Sequence, residues 1–334
     1  MTEATSGPFG LAVVDPQLER DVAQGMEAVE LLLQESTKSG IDFITGAAQH
    51  LLRAGGKRFR PLLTLLAAQF GDREASGVIE SAVVCEITHL ATLYHDDVMD
   101  DAPLRRGAPS ANQRWDNTVA ILTGDFLFSR ASQLLADLGP EAVRIQAHTF
   151  ERLVAGQIRE SVGPATGEDP VDHYLSVLAD KTGSLIATSG RFGALMAGAS
   201  EEVVEIMTDF GERIGVAFQI SDDLLDIASA SEDSGKTPGT DLREGVRTLP
   251  VLHALASTEP SSARLRELLT GDLSEDAAVD EALRLLRADR AMETARADLA
   301  RYAQSARELL GPLPAGAAKR ALLDICDLVV SRTG

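Results

Sequence analysis

Apolar residues recur with the period of an α-helix from about residue 16 to the end of the chain. The alternation of apolar and polar residues that is typical of a strand is not found over any useful length. Short breaks separate the helical stretches, at Gly55-Gly56, Gly71-Asp72, Gly139-Pro140, Gly163-Pro164 and Gly311-Pro312. The sequence therefore predicts an all-α protein with a single domain covering residues 1–334.

The limits of the helices follow from the same pattern. Asp15 is a good N-cap and Pro16 a good first helical residue, so residues 1–15 are expected to form a flexible tail. The predicted helices cover residues 20–37, 41–54, 61–70, 76–100, 118–137, 140–161, 171–199, 202–229, 248–257, 261–270, 275–310 and 316–332. One longer irregular stretch, Ser229 to Gly245, is rich in Ser, Gly, Asp and Lys.

Composition supports this fold class and narrows the range of binding partners. Hydrophobic residues make up 44% of the chain and aromatic ones only 4%, so Ala, Leu, Val and Ile supply most of the apolar mass. Ala and Leu lose little rotamer freedom in a helix. The net charge of −20 argues against a nucleic-acid partner, whose phosphates would be repelled. An acidic protein can still bind an anionic substrate when divalent cations sit at the site.

The cysteines and the N-terminus indicate the compartment. Cys85 and Cys326 are the two cysteines, and they form no CxxC pair, which fits a reducing compartment. The N-terminus has no basic region followed by an apolar core, so no secretory signal is predicted. No uninterrupted apolar run reaches the roughly 18 residues that suggest a membrane span. We therefore expect a cytoplasmic protein without a membrane span.

The first aspartate cluster, Asp96 to Asp100, closes a helix whose earlier part is largely apolar. Positions i and i+4 of a helix share a face, so Asp96 and Asp100 project together while Asp97 points about 100° away. Two neighbouring carboxylates repel each other, and the negative end of the helix dipole adds to this repulsion. The pair therefore needs a cation, and Asp97 is a weaker metal candidate.

A second cluster, Asp222 to Asp226, repeats this arrangement at the end of another apolar stretch. Hard oxygen ligands of this kind suit Mg²⁺, which keeps several waters and is completed by phosphate oxygens. Asp226 shares a face with Asp222 and could act through water, whereas Asp223 points elsewhere. Acidic clusters at helix ends can also be plain solvated surface, but two copies favour Mg²⁺ ions held around a diphosphate.

Two basic segments could supply the fixed positive charge that a diphosphate needs. The first, Gly55-Gly56-Lys57-Arg58-Phe59-Arg60-Pro61, places three cations at a glycine turn before a helix. The second, Leu104-Arg105-Arg106-Gly107, follows the first cluster closely. Glycines allow close backbone approach, and arginines grip phosphate in bidentate fashion. The alternative for either segment is a solvated basic turn.

Five motifs, taken in order, resemble the trans-polyprenyl diphosphate synthases over roughly residues 20–330. They are GGKRFRP, DDVMD followed by RRG, KTGSL at 181–185, FQISDDLLD at 218–226 and GKTPGTDLREG at 235–245. The resemblance implies the isoprenoid synthase fold, a bundle of roughly 10–13 helices around a central cavity. It also implies a homodimer, about two or three Mg²⁺ ions, and two substrates, isopentenyl diphosphate and an allylic prenyl diphosphate.

The resemblance further assigns roles to side chains of this sequence. Isopentenyl diphosphate would be bound by Lys57, Arg60, His89 and Arg106. The allylic diphosphate would be held by Arg105, Lys181, Thr182, Gln219 and Lys236, and the catalytic residues among them would be Lys181, Thr182 and Gln219. The magnesium ligands would be Asp96, Asp100 and Asp222, with Asp226 as a further candidate.

Two positions leave part of this assignment open. The family often carries a lysine where this chain has Val246, and either Arg247 or Lys236 could compensate for the missing cation. A lone histidine such as His89 can also be a satisfied core residue rather than a substrate ligand.

Small or medium-sized side chains line the first helix behind Asp96, at Thr92, Ala91, Thr88 and Cys85. In the family, bulky aromatic residues one turn before the first cluster stop short products, and here that level is open. The helix from Cys85 to Asp96 spans about 16 Å, and we therefore predict a product longer than C20, about C30 to C50. The alternative is that small residues let the helices pack closely.

The predicted enzyme is thus a Mg²⁺-dependent trans-prenyltransferase that condenses isopentenyl diphosphate with an allylic diphosphate. One alternative is a geranylgeranyl or farnesyl diphosphate synthase. A class I terpene cyclase shares the fold, but cyclases usually replace the second cluster and need no isopentenyl diphosphate site. A non-catalytic subunit of a heteromeric synthase would tend to lose aspartates, whereas this chain keeps both clusters.

Overall fold

A computed structural model describes residues 15–228, 238–273 and 275–332 of the chain. The elements up to residue 162 are α1 (Pro16–Ser36), α2 (Asp42–Ala48), α3 (His50–Arg53), α4 (Phe59–Ala68), α5 (Val78–Met99), β1 (Leu104–Arg105), β2 (Ala108–Pro109), α6 (Ala111–Arg114), α7 (Asn117–Leu138) and α8 (Pro140–Val162). The later helices are α9 (Pro170–Leu178), α10 (Ser184–Met196), α11 (Glu201–Ala228), α12 (Thr240–Arg243), α13 (Leu249–Ala256), α14 (Ala263–Thr270), α15 (Asp276–Ala288), α16 (Arg290–Leu309) and α17 (Ala317–Ser331). A π-helical turn (Ala179–Gly183) joins α9 to α10, and a 3₁₀ turn (Pro260–Ser262) precedes α14.

The all-α prediction is confirmed, since β-structure in the described residues amounts to one hairpin of two-residue strands. The described part has more helical segments than expected because some predicted helices are divided. The stretch predicted at 41–54 breaks at Gln49, and the one predicted at 275–310 breaks at Asp289. Asp289 caps α16, because its carboxylate accepts the backbone N–H of Ala291 at 2.9 Å.

Asp15 caps α1, because its Oδ1 accepts the backbone N–H groups of Gln17 and Leu18, both at 3.0 Å. Pro16 follows at the first helical position, as the sequence predicts. The rest of the tail predicted for residues 1–15 lies outside the described residues. So do residues 229–237 of the predicted irregular stretch, while residues 240–243 form the short helix α12.

The chain divides into two compact units. Unit 1 contains the residues up to 151 together with 185–211 and 313–322, and unit 2 contains 152–184, 212–312 and the residues from 323. The single domain expected for residues 1–334 stays a prediction. None of the helices in the described ranges is long and apolar enough to cross a membrane.

The core of unit 1 is built around α5, which is buried along most of its length. A helix that is apolar on nearly all sides belongs inside a protein, because burying a Leu or Ile side chain contributes roughly 1.5–3 kcal/mol. The buried side chains of this core include Val29, Leu33, Leu51, Ile87, Leu90, Tyr94 and Leu127. The first aspartate cluster therefore lies at the end of a well-packed helix.

Two contacts fix the end of α5 that carries this cluster. The backbones of α5 and α7 approach closely at Gly124, where an added Cβ would overlap the imidazole of His95. The hydroxyl of Tyr94 accepts the backbone N–H of Leu51 at 3.2 Å and donates to the carbonyl of Ala47 at 2.5 Å. These bonds tie α5 to α2 and α3.

Unit 2 is built from amphipathic helices whose apolar faces meet. Its buried side chains include Val251, Leu269, Val279, Leu283, Leu286 and Leu299. A polar pair also crosses this core, because His253 Nε2 on α13 lies 2.7 Å from Asp298 Oδ2 on α16. Residues 212–228 of α11 belong to this unit and carry the second aspartate cluster.

Candidate active site

The first aspartate cluster occupies the last turn of α5 and its C-cap. Asp96 is partly exposed and 46% of the Asp100 side chain is exposed, so both carboxylates reach solvent. Asp97 has no exposed area, and its Oδ1 accepts the Nε–H of Arg105 at 2.6 Å. Burial raises the pKa of the Asp97 carboxyl, and the charge of Arg105 opposes that rise. Asp97 is thus a structural partner of Arg105, while Asp96 and Asp100 form the outward pair.

Arg105 and Arg106 lie in a tight hairpin just after the cluster. Strands β1 and β2 pair antiparallel with Arg105 opposite Ala108, so Arg106 and Gly107 form a two-residue turn. Their φ angles of 54° and 75° are both positive, as a type I′ turn requires. Glycine adopts this conformation freely, but an arginine there costs roughly 1–2 kcal/mol. Backbone strain of this kind is concentrated at functional sites.

Arg106 reaches back to the glycine turn that precedes α4. Its Nη1 donates to the carbonyl of Leu51 at 3.0 Å and also to the carbonyl of Gly55. A Cβ on Gly56 would lie 2.9 Å from the guanidinium carbon of Arg106 and 2.7 Å from Nη1 of Arg58. Glycine is therefore required at this position, because two arginine side chains pack against its backbone. The two basic segments found in the sequence meet here.

Arg58 anchors the glycine turn at Gly55-Gly56 from the interior of unit 1. It is 8% exposed, its φ is 51°, and it pairs with Glu30 and with Glu86, whose Oε1 lies 3.1 Å from its Nη1. Burial by itself would lower the pKa of Arg58, but the two carboxylates outweigh it and raise the pKa above its usual value. Arg58 is thus a buried structural cation, a role that its place between Lys57 and Arg60 in the sequence did not reveal.

Arg60 and His89 lie within a cluster of positive charge in unit 1. Burial holds the pKa of His89 well below its usual range, and the charges of Arg60, Arg106 and Arg105 lower it further. His89 is therefore neutral at pH 7 and can donate one ring N–H. The Nε of Arg60 is buried and has no hydrogen-bond partner among the described residues. A buried N–H donor beside other cations suits an anionic acceptor.

The second cluster, in unit 2, also has one inward carboxylate. Asp223 is 6% exposed, and it accepts the hydroxyl of Tyr174 and the Nε2–H of Gln219, the latter at 2.9 Å. Burial raises the pKa of Asp223 to about 6. Asp222 is partly exposed and pairs with Arg332, whose Nη2 lies 2.6 Å from its Oδ1. Asp223 thus orients the Gln219 amide, and Asp222 is the outward carboxylate.

Lys181 and Thr182 lie in the π-helical turn between α9 and α10. Thr182 Oγ1 donates to Gln219 Oε1 at 3.4 Å, and the Lys181 ammonium pairs with Glu160. A Cβ on Gly156 of α8 would lie 2.6 Å from the backbone nitrogen of Lys181, so α8 passes very close to this turn. Single π turns inside helices are frequent at functional sites. Thr182 and Gln219, two of the residues predicted to be catalytic, therefore contact each other in unit 2, and Lys181 precedes Thr182 in the same turn.

A metal site is not fully assembled by the protein alone. In the described ranges, no three His, Cys, Asp or Glu side chains converge to hold an ion. Mg²⁺ does not require this, since one or two carboxylates with waters and phosphate oxygens usually suffice. Asp96 and Asp100 offer such a donor pair, and Asp222 offers a carboxylate in unit 2. Asp226 already accepts the backbone N–H groups of Thr240 and Asp241, at 3.3 and 3.2 Å.

The residues predicted to line a product channel differ in exposure. Thr92 is partly exposed, whereas Ala91, Thr88 and Cys85 have no exposed area. Ala91 packs in the core shared with α7, and Thr88 Oγ1 accepts the Nε2–H of Gln146 at 2.9 Å. Burial raises the pKa of the Cys85 thiol to about 12. The sequence suggests that a product channel is open at Ala91 and Thr92. In the structure only Thr92 is partly exposed, whereas Ala91, Thr88 and Cys85 are packed in the interior.

The family profile described as Polyprenyl synthetase matches residues 41–286. The chain belongs to the polyprenyl synthetase family. A nonaprenyl diphosphate synthase of Mycobacterium tuberculosis is 50% identical over 326 residues, which cover 97% of each chain. A dimethylallyltranstransferase of the same organism is 42% identical over 95% of this chain and 97% of that protein. The crystal structure of a geranylgeranyl pyrophosphate synthase from Corynebacterium glutamicum, complexed with calcium and isoprenyl diphosphate, has a TM-score of 0.86 at 47% identity and covers 96% and 99% of the two chains.

The sequence-based family prediction is thus confirmed, and this polyprenyl synthetase is a prenyl-transferring enzyme of the isoprenoid synthase fold. Membership of the polyprenyl synthetase family does not test the predicted residue roles. Lys57 is exposed, and Lys236 lies outside the described residues. Val246 and Arg247 are also exposed. The roles assigned to these side chains stay predictions.

Three residues at the site of this polyprenyl synthetase were missed by sequence reasoning. Arg58 looks like another substrate cation until its two carboxylate partners are seen. Tyr174 reaches Asp223 from 49 positions away, and Arg332 reaches Asp222 from 110 positions away. Local spacing carries no signal for contacts of this range.

Proposed function

We propose that this polyprenyl synthetase condenses isopentenyl diphosphate with an allylic prenyl diphosphate, head to tail and in the trans configuration. The observation that carries the proposal is the cluster of positive charge formed by Arg60, Arg106 and Arg105 around the neutral His89 in unit 1. It contains a buried guanidinium N–H of Arg60 that has no protein acceptor among the described residues. A diphosphate supplies the charge and the acceptor oxygens that such donors need.

The proposed roles are those that the family motifs assign. Isopentenyl diphosphate would contact Lys57, Arg60, His89 and Arg106, and the allylic diphosphate would contact Arg105, Lys181, Thr182 and Gln219. Arg105 is already held by Asp97 at 2.6 Å, so its side chain is pre-oriented beside the outward pair Asp96 and Asp100. Lys236 is included in the proposal on sequence alone.

We propose Mg²⁺ as the cofactor, with two or three ions held by Asp96, Asp100 and Asp222, and Asp226 acting through water. When bound, Mg²⁺ would draw charge off the allylic diphosphate and assist its departure. The relative solved with isoprenyl diphosphate contains calcium, another divalent ion that takes oxygen ligands. The carboxylates of Asp96 and Asp100 supply oxygen ligands of the kind that such an ion takes.

The reaction follows from these contacts. The allylic carbon–oxygen bond breaks, and the double bond of isopentenyl diphosphate attacks the allylic carbon to form the new carbon–carbon bond. A proton is then lost to the departing pyrophosphate, since no side chain at the site is an obvious dedicated base. The fixed charges of Arg105 and Lys181 would stabilise the negative charge that develops on the departing pyrophosphate, while Arg60 would hold isopentenyl diphosphate.

We further propose a product longer than C20. The support is the small side chain of Ala91 and the partial exposure of Thr92, since α5 carries no aromatic side chain at these two positions, one turn before the cluster. The names of the relatives differ, because one is a nonaprenyl and another a geranylgeranyl diphosphate synthase. A geranylgeranyl or farnesyl product is therefore the second candidate.

The test is incorporation of labelled isopentenyl diphosphate with C10, C15 or C20 allylic primers and Mg²⁺, followed by chromatography of the products. Condensation of a primer is the expected result, and absence of incorporation with every primer would overturn the function. Conversion of an allylic diphosphate without isopentenyl diphosphate would indicate a cyclase. A sole C15 or C20 product would contradict the proposed length.

Variants connect this assay to the aspartate clusters. Asp96→Asn and Asp222→Asn are each expected to lower condensation by at least about a hundredfold, because each removes a charged metal ligand. Asp101→Asn is the matched control, since Asp101 is exposed and its φ of 47° suits asparagine. Equal loss in all three variants would contradict a specific role for the outward carboxylates.

A homodimer and a cytoplasmic location complete the proposal. In unit 1, α7 exposes Ile121 and Leu122, and α8 exposes Val143 and Phe150. Exposed apolar side chains of this size favour contact with a second copy. Light scattering of the purified protein tests the dimer, and activity of the protein without a second gene product tests the alternative of a heteromeric subunit.

A further inference from the structure

A cavity of about 350 Å³ lies at the surface of unit 1, where residues of α2, α3, β2 and α6 meet. The side chains of His50, Arg53, Arg114 and Trp115 line this α3–α6 cavity, and its other lining residues are Gly or Ala. None of the described residues that line it is acidic, and none is proposed above to bind a substrate or a metal ion. A cationic lining stands out in a chain with 51 acidic and 31 basic residues.

Both arginines of the cavity are held by partners that carry no negative charge. Arg53 Nη2 donates to Gln49 Oε1 at 2.6 Å. Arg114 Nη1 donates to His50 Nδ1 at 3.1 Å, and the ring can accept there because its Nε2–H donates to the carbonyl of Pro109 at 2.7 Å. In the described part of the chain, no ion pair with a carboxylate involves either arginine. The two positive charges are therefore oriented but not neutralised.

Trp115 gives the cavity an apolar wall of fixed orientation. The guanidinium carbon of Arg114 lies 4.9 Å from the centroid of the Trp115 ring, so the arginine stacks over the indole. The rings of His50 and Phe43 meet the indole edge-on, with centroids 5.3 and 6.1 Å away. Phe43 is 55% exposed, so apolar surface continues beyond Trp115 to solvent.

We propose that the α3–α6 cavity binds the phosphate group of an amphipathic anion, with Arg53 and Arg114 on the phosphate and Trp115 against the hydrocarbon part. Arginine presents its N–H groups in a fork that matches phosphate oxygens. A small inorganic anion would leave the apolar wall unused, whereas a phosphate ester with a hydrocarbon chain covers both parts. Two sources supply this chemistry, namely a free prenyl diphosphate and the headgroup of an anionic phospholipid.

Trp115 is the only tryptophan of the chain, so its fluorescence reports on this cavity. The full-length protein is titrated with farnesyl diphosphate in EDTA, which keeps metal-dependent binding at the aspartate clusters out of the measurement. We expect a saturable change in the emission of Trp115. Farnesol, which has the same chain without a phosphate, should bind at least about tenfold more weakly, and equal affinities would overturn the proposal.

Variants connect the fluorescence to the two arginines. Arg53→Gln and Arg114→Gln should each raise the dissociation constant at least about tenfold, because each removes a charged donor. Arg20→Gln is the matched control and should leave the constant unchanged, since Arg20 is also exposed and also donates to a glutamine, Gln17, at 2.6 Å. Circular dichroism checks each fold. Because Arg114→Gln removes a group stacked on Trp115, calorimetry measures its dissociation constant as well.

Arg60→Gln separates this cavity from the candidate active site. Arg60 does not line the α3–α6 cavity, so this variant should keep the response of Trp115 to farnesyl diphosphate. A response that is lost in Arg60→Gln but unchanged in Arg53→Gln and Arg114→Gln would place the ligand in the active site. That result would overturn the proposal and leave the proposed function intact.

Vesicles distinguish the two sources of the phosphate group. Vesicles of phosphatidylglycerol and of phosphatidylcholine are titrated separately into the same protein. A response to phosphatidylglycerol alone that weakens in Arg53→Gln identifies a lipid headgroup, and such a response to farnesyl diphosphate identifies a free prenyl diphosphate. A response to neither source, or responses of equal strength in the natural protein and in both arginine variants, would overturn the proposal.

Discussion

The guanidinium of Arg332 lies 2.6 Å from Oδ1 of Asp222 and stacks over the ring of Phe218, with its central carbon 4.8 Å from the ring centroid. Arg332 follows the last helix of the chain, whereas Asp222 starts the second aspartate cluster. A cation thus rests on the carboxylate that is proposed to bind metal. A divalent ion that binds this carboxylate has to compete with the charge of the guanidinium.

Arg332→Gln should therefore strengthen binding of Mg²⁺ to the free enzyme. We expect a rise in affinity of up to about fivefold, because a partly exposed ion pair contributes at most about 1 kcal/mol. Isothermal titration calorimetry without substrate measures this affinity. Arg301→Gln is the control, since it removes the same charge from an exposed side chain that pairs with the buried Asp298 and not with Asp222. Equal affinities of the natural enzyme and Arg332→Gln would show that the pair does not compete with the ion.

His89 should make the stability of the protein depend on pH. Because its pKa in the folded state is well below 6.5, the unfolded chain takes up a proton below pH 6.5 that the folded protein does not bind. The free energy of unfolding is therefore expected to fall as the pH decreases from 6.5, by up to about 1.4 kcal/mol per pH unit.

The measurement is urea denaturation between pH 7.5 and 5.5. His89→Gln should lack this part of the slope, while His148→Gln should keep it, because His148 is 73% exposed on α8. If the free energy of unfolding depends on pH in the same way for the natural protein and for His89→Gln, a neutral His89 is contradicted.

Arg58→Gln should destabilise the fold strongly. The change leaves Glu86, which is 2% exposed, without its cationic partner, and loss of one member of a buried pair costs about 3–5 kcal/mol. Urea denaturation gives the free energy of unfolding. The double variant Arg58→Met, Glu86→Leu should recover much of the loss. Arg264→Gln, which breaks an exposed pair with Glu281, should have no measurable effect. Equal free energies of unfolding for Arg58→Gln and Arg264→Gln would contradict the structural role of Arg58.

Ala91→Phe should shorten the product and also lower the melting temperature. Ala91 has no exposed area and packs in the core with Ala120 and Leu127. A phenyl ring would overpack that core and lower the free energy of unfolding by about 1–3 kcal/mol. Thr92→Phe, at the partly exposed level, should shorten the product with a smaller loss of stability. Chromatography of labelled products gives the product length of each variant. An unchanged distribution in both variants would mean that the growing chain leaves the cluster by another route.

The sequence predicts the parts of this structure that depend on local spacing. Helical periodicity and glycine breaks place the long helices, and the 100° step of a helix separates the inward Asp97 from the outward Asp96 and Asp100. The same reasoning fails where partners are distant. Arg58 is chemically identical to its neighbours in the motif, and only the position of Glu86 on another helix, 28 residues later, makes it structural.

The exposure of the channel residues shows a second limit of spacing arguments. Thr88, Ala91 and Thr92 are all small or medium-sized, and a helical projection places them on one side of α5. Their exposure depends on what packs opposite, and Gln146 comes from a helix that the local pattern cannot relate to Thr88. Packing between helices is decided by side-chain shape across the whole core.

The π turn at Ala179–Gly183 lets this segment carry one residue more than a regular helix would. The wider turn takes up the extra residue locally, so the helices before and after it keep their phase. Leu185 and Ile186, which follow the turn, are almost fully buried. Loss of one residue from the turn would leave these two side chains facing their packing partners, and should be tolerated better than loss of one residue within α10, where every later side chain would rotate by about 100°.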